Sequence, residues 1–340
     1  MHVRFFGVRG SCPCSSDEHR RYGGNTSCVT VEVDGQEPII LDLGTGLRPL
    51  GVELLAGIGA GTGVVNGARV APVTPGGAPG ASELQEAGRN RVAGDVWLGG
   101  ADDPGAGDPG GEHWTALLTH LHWDHLIGLP FFPPVLRPGA KLDVYGPPQE
   151  GRSIQEVVDQ VVKPPFFPVQ VEELHGSVVF HDVAEGQMTV GSATVSIRQV
   201  PHVGTTLGFR IDAGGVAVAY LSDHQAPLDM AAVAPAVLEL YDGADLVIHD
   251  AQYTEQEFVA KADWGHSTPA YAVHVAAEAG ARMLALFHHD PMHDDDQIDR
   301  LVEVAAARPE VARLTQVVAA AEQMVVDVRP GSTSLVVANR

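Results

Sequence analysis

The chain has 340 residues, 44% hydrophobic and 19% charged, which fits a globular protein with a full core and excludes a disordered one. Its formal charge is −22, from 21 basic and 43 acidic residues. Three lysines and eighteen scattered arginines form no basic patch, so docking on long RNA or DNA is not expected. No apolar run reaches the ~18 to 20 residues needed to span a bilayer, so no membrane partner is expected. The opening MHVRFFGVRG has too short an apolar stretch and no small-residue cleavage site for a signal peptide. Cys12, Cys14 and Cys28 are too few and too odd in number for a disulfide framework, which points to a reducing cytoplasm.

Along the chain, HVRFFGV, SCVTVEV and PIILDLG read as strands, broken by the turn-prone YGGNTS and VDGQE. A short helix, LRPLGVELL, follows. From Ala56 to Gly111 glycine, alanine and proline supply more than half the residues with no sustained period, which reads as an irregular insertion and not a second domain. Order resumes at HWTALLTH, followed by a helix beginning near Asp124. Strands are expected at KLDVYG, SVVFHDV, ATVSIRQV, TLGFRIDA and VAVAYLSD. The tail alternates strand ADLVIHD, helix TPAYAVHVAAEAG, strand RMLALFHH and an acid-capped helix from HDDDQIDRLVEVAAA. Two β-rich halves with helices outside predict an α/β fold, a four-layer αββα sandwich forming a single domain over 1–340.

The stretch LLTHLHWDHLIGLP places His120, His122, Asp124 and His125 between apolar runs. Burying such groups is costly unless something compensates them, and a metal ion accepts neutral imidazole and carboxylate alike. A strand ending at His120 would let His120 and His122 share one ion, while Asp124 and His125 face a second from the first helical turn. An ion takes three or four ligands, so more donors must come from other strand ends: His202, Asp223, and His288 or His289.

HxHxDH, then a lone strand-end histidine, SD, GHST and a final strand-end histidine, resembles the metallo-β-lactamase-fold hydrolases. The similarity lies on the branch of ribonuclease Z and the phosphoribosyl cyclic phosphodiesterases. FFGVRGSCP, RYGGNTSCV and LDLGTGLR match the amino-terminal strands of that branch. The resemblance implies two divalent ions, zinc by preference with manganese or iron as substitutes. His120, His122 and His202 would hold one, Asp124, His125 and His288 the other, and Asp223 would bridge both. Choosing His288 over His289 rests on the alignment of LALFH with the family's strand.

In GHSTPAY, Thr268 reads as an N-cap with Pro269 in the first helical position, leaving His266 just before a helix start. The resemblance makes His266 a general acid or oxyanion stabiliser. Asp250 stands where the branch commonly has glutamate and would orient His266 with a shorter arm. His266, Asp124 and Asp250 are the candidate catalytic residues. His224 reads as an outer partner of the centre or a surface residue; His113, His175, His181 and His274 read as structural. Cys12-x-Cys14 with His293 lacks a fourth zinc ligand, so buried or semi-buried thiols are the better reading.

The implied activity is hydrolysis of a small cyclic or nucleotide-like phosphodiester by a metal-bridging hydroxide. No basic arm for tRNA appears between Pro147 and Gly176, and the Ala56–Gly111 insertion has only three arginines and no lysine. The rivals are a tRNA 3′-processing endonuclease, a lactone or thioester hydrolase on the same centre, and a binding module. The resemblance also admits a homodimer.

Overall fold

The computed structural model describes residues 1–59 and 112–336. In the first part of the chain lie strands β1 (His2–Gly7), β2 (Cys28–Glu32), β3 (Ile39–Leu41), β4 (His113–Leu117), β5 (Lys141–Gly146) and β6 (Ser177–Asp182). Next come β7 (Gly186–Val190), β8 (Ala193–Gln199), β9 (Leu207–Ala213), β10 (Val216–Leu221), β11 (Leu246–Asp250), β12 (Met283–Phe287) and β13 (Gln316–Ala319). The hairpin β14 (Val325–Arg329) and β15 (Ser332–Val336) ends the described chain. The helices are α1 (Leu47–Gly59), α2 (Trp123–Leu126), α3 (Ile154–Val161), α4 (Pro235–Tyr241), α5 (Glu255–Ala260), α6 (Pro269–Glu278) and α7 (Asp295–Ala306).

Two sheets form, in the orders β15-β14-β1-β2-β3-β4-β5-β6 and β13-β12-β11-β10-β9-β8-β7. Period-two alternation decides what each strand gives to each layer. In β3, Ile39 and Leu41 face the second sheet and meet Val195, Phe209 and Ile248 in the central core. Ile40 points outward into a second cluster with Leu47, Leu50, Trp114, Leu142, Ile154 and Val158, under α1 and α3. On the far side, Ala219, Leu221, Val247 and Leu284 pack against Val237, Leu240, Ala272 and Val275 of α4 and α6. Strands buried on both faces need near-continuous apolar runs, which is why IIL, VAVAYL and MLALF read as they do. The layers are helix, sheet, sheet, helix, as the sequence predicts.

Strands β3 to β6 run parallel, as do β10 to β13. Their carboxyl ends therefore gather at one edge of each sheet, the edge where open α/β sheets carry their sites. Leu41 pairs with Leu117, and Leu221 with His249, so the strand ends are level.

Some boundaries differ from expectation. Helix α1 continues through Gly59, past the predicted insertion start at Ala56, because a nucleated helix gains a hydrogen bond with each added residue. The rest of the Ala56–Gly111 insertion lies outside the described residues. Strand β4 stops at Leu117, short of His120, since the Thr119 N–H leaves the ladder to donate to Asp42 Oδ1 at 2.8 Å. The short elements β7, β13, α3, α4 and α5 and the hairpin β14–β15 are additional to the predicted set. That hairpin returns to the first sheet, where β14 pairs with β1.

Candidate metal centre

The donors stand just beyond the level strand ends. Asp42 follows β3, His120 to His125 follow β4, and Asp223 follows β10. Asp250 ends β11 and His288 follows β12. His202 lies in the connection from β8 to β9, and His266 precedes the Thr268 N-cap of α6, whose side chain accepts from Tyr271 N–H at 3.2 Å.

Four overlapping groups of these residues could each hold an ion: His120, His122 and His202; His120, His125 and Asp223; Asp124, His125 and His288; and Asp223, Asp250, His266 and His288. Asp223 lies 3.0 Å from His125 Nε2, 3.5 Å from His288 Nε2 and 3.8 Å from His202 Nε2, which puts it between the two halves of the centre. His288 Nε2 approaches Asp124 Oδ2 at 3.0 Å. His289 turns away and its Nε2 meets the Ala320 carbonyl at 2.9 Å; burial lowers its pKa to about 3. The structure therefore brings His288, not His289, to the cluster.

The outward nitrogen of nearly every ring is already engaged. His125 Nδ1 meets Asp42 Oδ2 at 2.8 Å, His288 Nδ1 meets Gln252 Oε1 at 2.8 Å, and His202 Nδ1 meets the Gly265 carbonyl at 2.6 Å. His120 Nδ1 lies 3.0 Å from Thr119 Oγ1, and His266 Nδ1 lies 2.8 Å from Asp250 Oδ2. Each outer partner accepts, or in Thr119 can accept, a proton from that nitrogen, so that in the neutral ring the lone pair is on the inward one. The inward nitrogens crowd together: His120 Nε2 and His122 Nδ1 are 2.8 Å apart, and His202 Nε2 and His122 Nδ1 are 3.3 Å apart. His125 Nε2 and Asp223 Oδ1 are buried without a hydrogen-bond partner.

Charge tells the same story. Asp42, Asp124, Asp223 and Asp250 are all buried, and among the described residues their only ionic partners are histidines. Burial resists ionisation of Asp223, yet His288, His125 and His120 hold it well below the usual carboxylate range. Burial likewise opposes charge on His125, and Asp223, Asp124 and Asp42 outweigh it and push its pKa well above the ordinary imidazole value. At His120 burial prevails and lowers the pKa. Buried carboxylates without lysine or arginine, ringed by converging imidazole nitrogens, are what divalent cations require. The residues fit two such ions.

Several contributors escape a reading of the motifs. Asp42 accepts from Thr119 N–H, Thr119 Oγ1, His125 Nδ1 and Tyr220 O–H. Ser11 N–H donates to Asp124 Oδ2 at 2.7 Å. Ser11, Asp42 and His288 all adopt left-handed backbone, at φ 57°, 60° and 59°. Non-glycine residues there cost of order 1–3 kcal/mol each, strain that clusters at functional sites. An acid closing an apolar strand in LDLGTG was the available signal for Asp42. His224 is fully buried, with Nε2 3.3 Å from Tyr271 Oη. His113 and His181 both pair with Asp143. Cys12 is exposed rather than buried, Cys14 is half-buried, and His293 is taken by Glu257 at 3.0 Å. No described metal-holding group includes these cysteines.

Comparison with known proteins places this geometry. A beta-lactamase superfamily domain matches residues 112–289, more than half of the chain. Ribonuclease Z of Brevibacillus brevis is 26% identical over 230 residues, covering 55% of this chain and 71% of that protein. The metallo-beta-lactamase fold protein YhfI from Bacillus subtilis superposes with a TM-score of 0.59 at 16% identity, covering 96% of this chain and 99% of its own. The human tRNase Z short form does so at 0.57 and 19%, covering 97% and 100%. The two structural likenesses speak for the fold alone. With the family match, the donor set and the strand-end layout in agreement, the chain belongs to the beta-lactamase superfamily, as a metal-dependent hydrolase on the branch of its ribonuclease Z relatives.

Proposed function

We propose that the chain is a dinuclear phosphodiesterase acting on a small cyclic or nucleotide-like phosphodiester. The observation that carries this reading is the His266–Asp250 pair at 2.8 Å, set beside the metal-holding cluster. His120, His122 and His202 would hold one ion, Asp124, His125 and His288 the other, with Asp223 shared. Zinc suits an imidazole-rich set, and manganese or iron can replace it. Divalent cations held by these residues would lower the pKa of water toward neutrality and offset charge on the phosphate oxygens.

The chain's own groups supply the rest. Asp250 accepts a hydrogen bond from His266 Nδ1, so Nε2 is the nitrogen left to meet a substrate. A protonated Nε2 beside a buried carboxylate can give its proton to a departing alkoxide, the step a phosphodiester needs more than an activated acyl group does. Asp42, Gln252 and the Gly265 carbonyl keep His125, His288 and His202 in one tautomer and orientation. Substrate size follows from charge. Cations held there would attract phosphate only within about 8 Å at physiological salt, whereas a polyanion must also approach a chain of formal net charge −22. A second reading, tRNA 3′-end processing, draws on the relative named ribonuclease Z.

The test is a substrate panel with metal content measured alongside. Wild type is expected to hydrolyse bis-p-nitrophenyl phosphate and a cyclic nucleotide while leaving precursor tRNA and an acyl-homoserine lactone intact. His266→Ala should retain metal and lose roughly 10²- to 10⁴-fold in kcat, more on the alkoxide than on the p-nitrophenolate leaving group. Turnover of the lactone alone overturns the phosphodiesterase reading, cleavage of tRNA alone moves it to the second one, and loss of metal in His266→Ala removes the acid role.

A further inference from the structure

Two exposed tryptophans flank residues of the centre in the sequence. Among the described residues Trp114 is buried in the core, whereas Trp123 and Trp264 are 54% and 60% exposed. Both exposed indoles are next to the centre in the chain: Trp123 between His122 and Asp124, Trp264 two residues before His266. An exposed indole close to a site in the chain offers a flat face on which an aromatic ligand can stack.

The backbone is shaped to hold Trp264 there. Gly265 has φ +94°, and a Cβ on it would lie 2.5 Å from His202 Cε1. Only glycine lets this segment press against the His202 ring, whose Nδ1 meets the Gly265 carbonyl. From the other side the Gln225 carboxamide oxygen accepts the Gly265 N–H at 2.7 Å. Packing then links the indole to the candidate acid. The Tyr253 ring stands edge-on to His266 at 5.5 Å, the Lys261 ammonium sits 4.4 Å from the Tyr253 centroid, and the same ammonium lies 5.5 Å from the Trp264 centroid. Lys261 also pairs with Asp290 at 3.5 Å, so its charge is committed to holding this arrangement and not free to grip phosphate.

We propose that Trp264, oriented by Lys261, is a specificity-determining platform on which the heteroaromatic base of the substrate stacks while its phosphodiester occupies the histidine–aspartate cluster. This rests on the phosphodiesterase reading above and narrows it to base-bearing substrates, cyclic or 5′-linked nucleotides, over base-free sugar phosphates. Stacking on an indole tolerates every base, since each has a π-face, so the preference is for a base and not for one sequence.

The experiment compares kcat/KM for a 3′,5′-cyclic purine nucleotide with that for a base-free ribose cyclic phosphate, in wild type, Trp264→Ala and Trp264→Phe. Base stacking lost on alanine substitution corresponds to about 10- to 100-fold. The ratio of the two kcat/KM values should fall by that factor in Trp264→Ala and be largely restored in Trp264→Phe. Independently of turnover, calorimetry should show adenosine 5′-monophosphate binding the zinc-loaded wild type about 10- to 100-fold more tightly than ribose 5-phosphate, with the gap closed in Trp264→Ala. A ratio within twofold of wild type in Trp264→Ala, or equal binding of the two phosphates by wild type, overturns the platform. If neither cyclic substrate is hydrolysed but the binding gap is present, it is the phosphodiesterase reading that fails.

Discussion

Asp42 offers the sharpest test of the centre, because one isosteric change sets two demands against each other. Its Oδ1 accepts from Thr119 N–H at 2.8 Å and Thr119 Oγ1 at 2.9 Å; its Oδ2 accepts from His125 Nδ1 and Tyr220 O–H, both at 2.8 Å. In Asp42→Asn one oxygen becomes an NH₂ group. If the amide faces Thr119, a buried backbone N–H loses its acceptor. If it faces His125, Nδ1 must accept instead of donate, which moves the ring proton to Nε2, the atom aimed at Asp124 and Asp223. Hydrogen bonds to a charged acceptor are worth about 1.5–3 kcal/mol, and an orphaned buried donor costs about 1–3 kcal/mol, so the metal-free protein should lose roughly 2–4 kcal/mol. Removing the outer partner of a ligating histidine typically costs 10- to 100-fold in metal affinity. Urea unfolding of the stripped protein reads the first quantity, and competition with a chromophoric chelator for zinc reads the second. A variant within 1 kcal/mol and threefold of wild type on the two measures would refute the tautomer argument.

Two further changes probe the surroundings. A Cβ added at Gly10 would lie 2.5 Å from the Cε1 and Nδ1 of His288 and 2.8 Å from Gln252 Oε1, so Gly10→Ala must displace that ring. Overpacking of this kind costs about 1–3 kcal/mol; zinc affinity should fall at least tenfold, and unchanged affinity with unchanged thermal stability would show that the loop yields freely. Away from the centre, burial resists ionisation of Asp143, yet His181, Lys141 and His113 lower its pKa from 3.8 to about 2. A depressed carboxylate stabilises above its unfolded pKa and loses that contribution as pH falls through the folded one. At 1.36 kcal/mol per unit, discounted for its half-exposed partners, the gain over Asp143→Asn is no more than about 2 kcal/mol. It should be complete at pH 6 and about half gone at pH 3 in urea unfolding. A gap between the two proteins that stays constant from pH 6 to pH 3 contradicts the assignment.

The ligand candidates were legible because they interrupt apolar strands. His120, His122, Asp124 and His125 stand between LL and LIGLP, and Asp223 and His288 each close an apolar run. Such placement is too costly to be incidental. The groups that orient them leave no such trace. Gln252 and Thr119 are ordinary residues in ordinary stretches. Asp42 reaches partners 83 and 178 positions away, a relation no local spacing encodes. Layer order was legible from alternating strands and amphipathic helices. The return of β14 to pair with β1 was not, since that pairing joins the two ends of the described chain and depends on the whole sandwich being assembled.

Tyr220 shows why the centre lies at the seam of the sheets and not within one of them. Its ring is buried in the central core against Phe287, at 5.6 Å between centroids, and it belongs to the second sheet. Its hydroxyl donates to Asp42, which belongs to the end of the first. Ser222 Oγ, two residues on, lies 3.2 Å from Thr119 Oγ1, and Leu207 N–H donates to the Thr119 carbonyl at 2.9 Å. These bonds cross between the halves at the same level as the donors. His120, His122, Asp124 and His125 come from the first sheet, and His202, Asp223 and His288 from the second, so their spacing is set by how the two sheets pack. A close-packed interior transmits small volume changes rather than absorbing them. The position of the donors is therefore a property of the central core as much as of the loops that carry them.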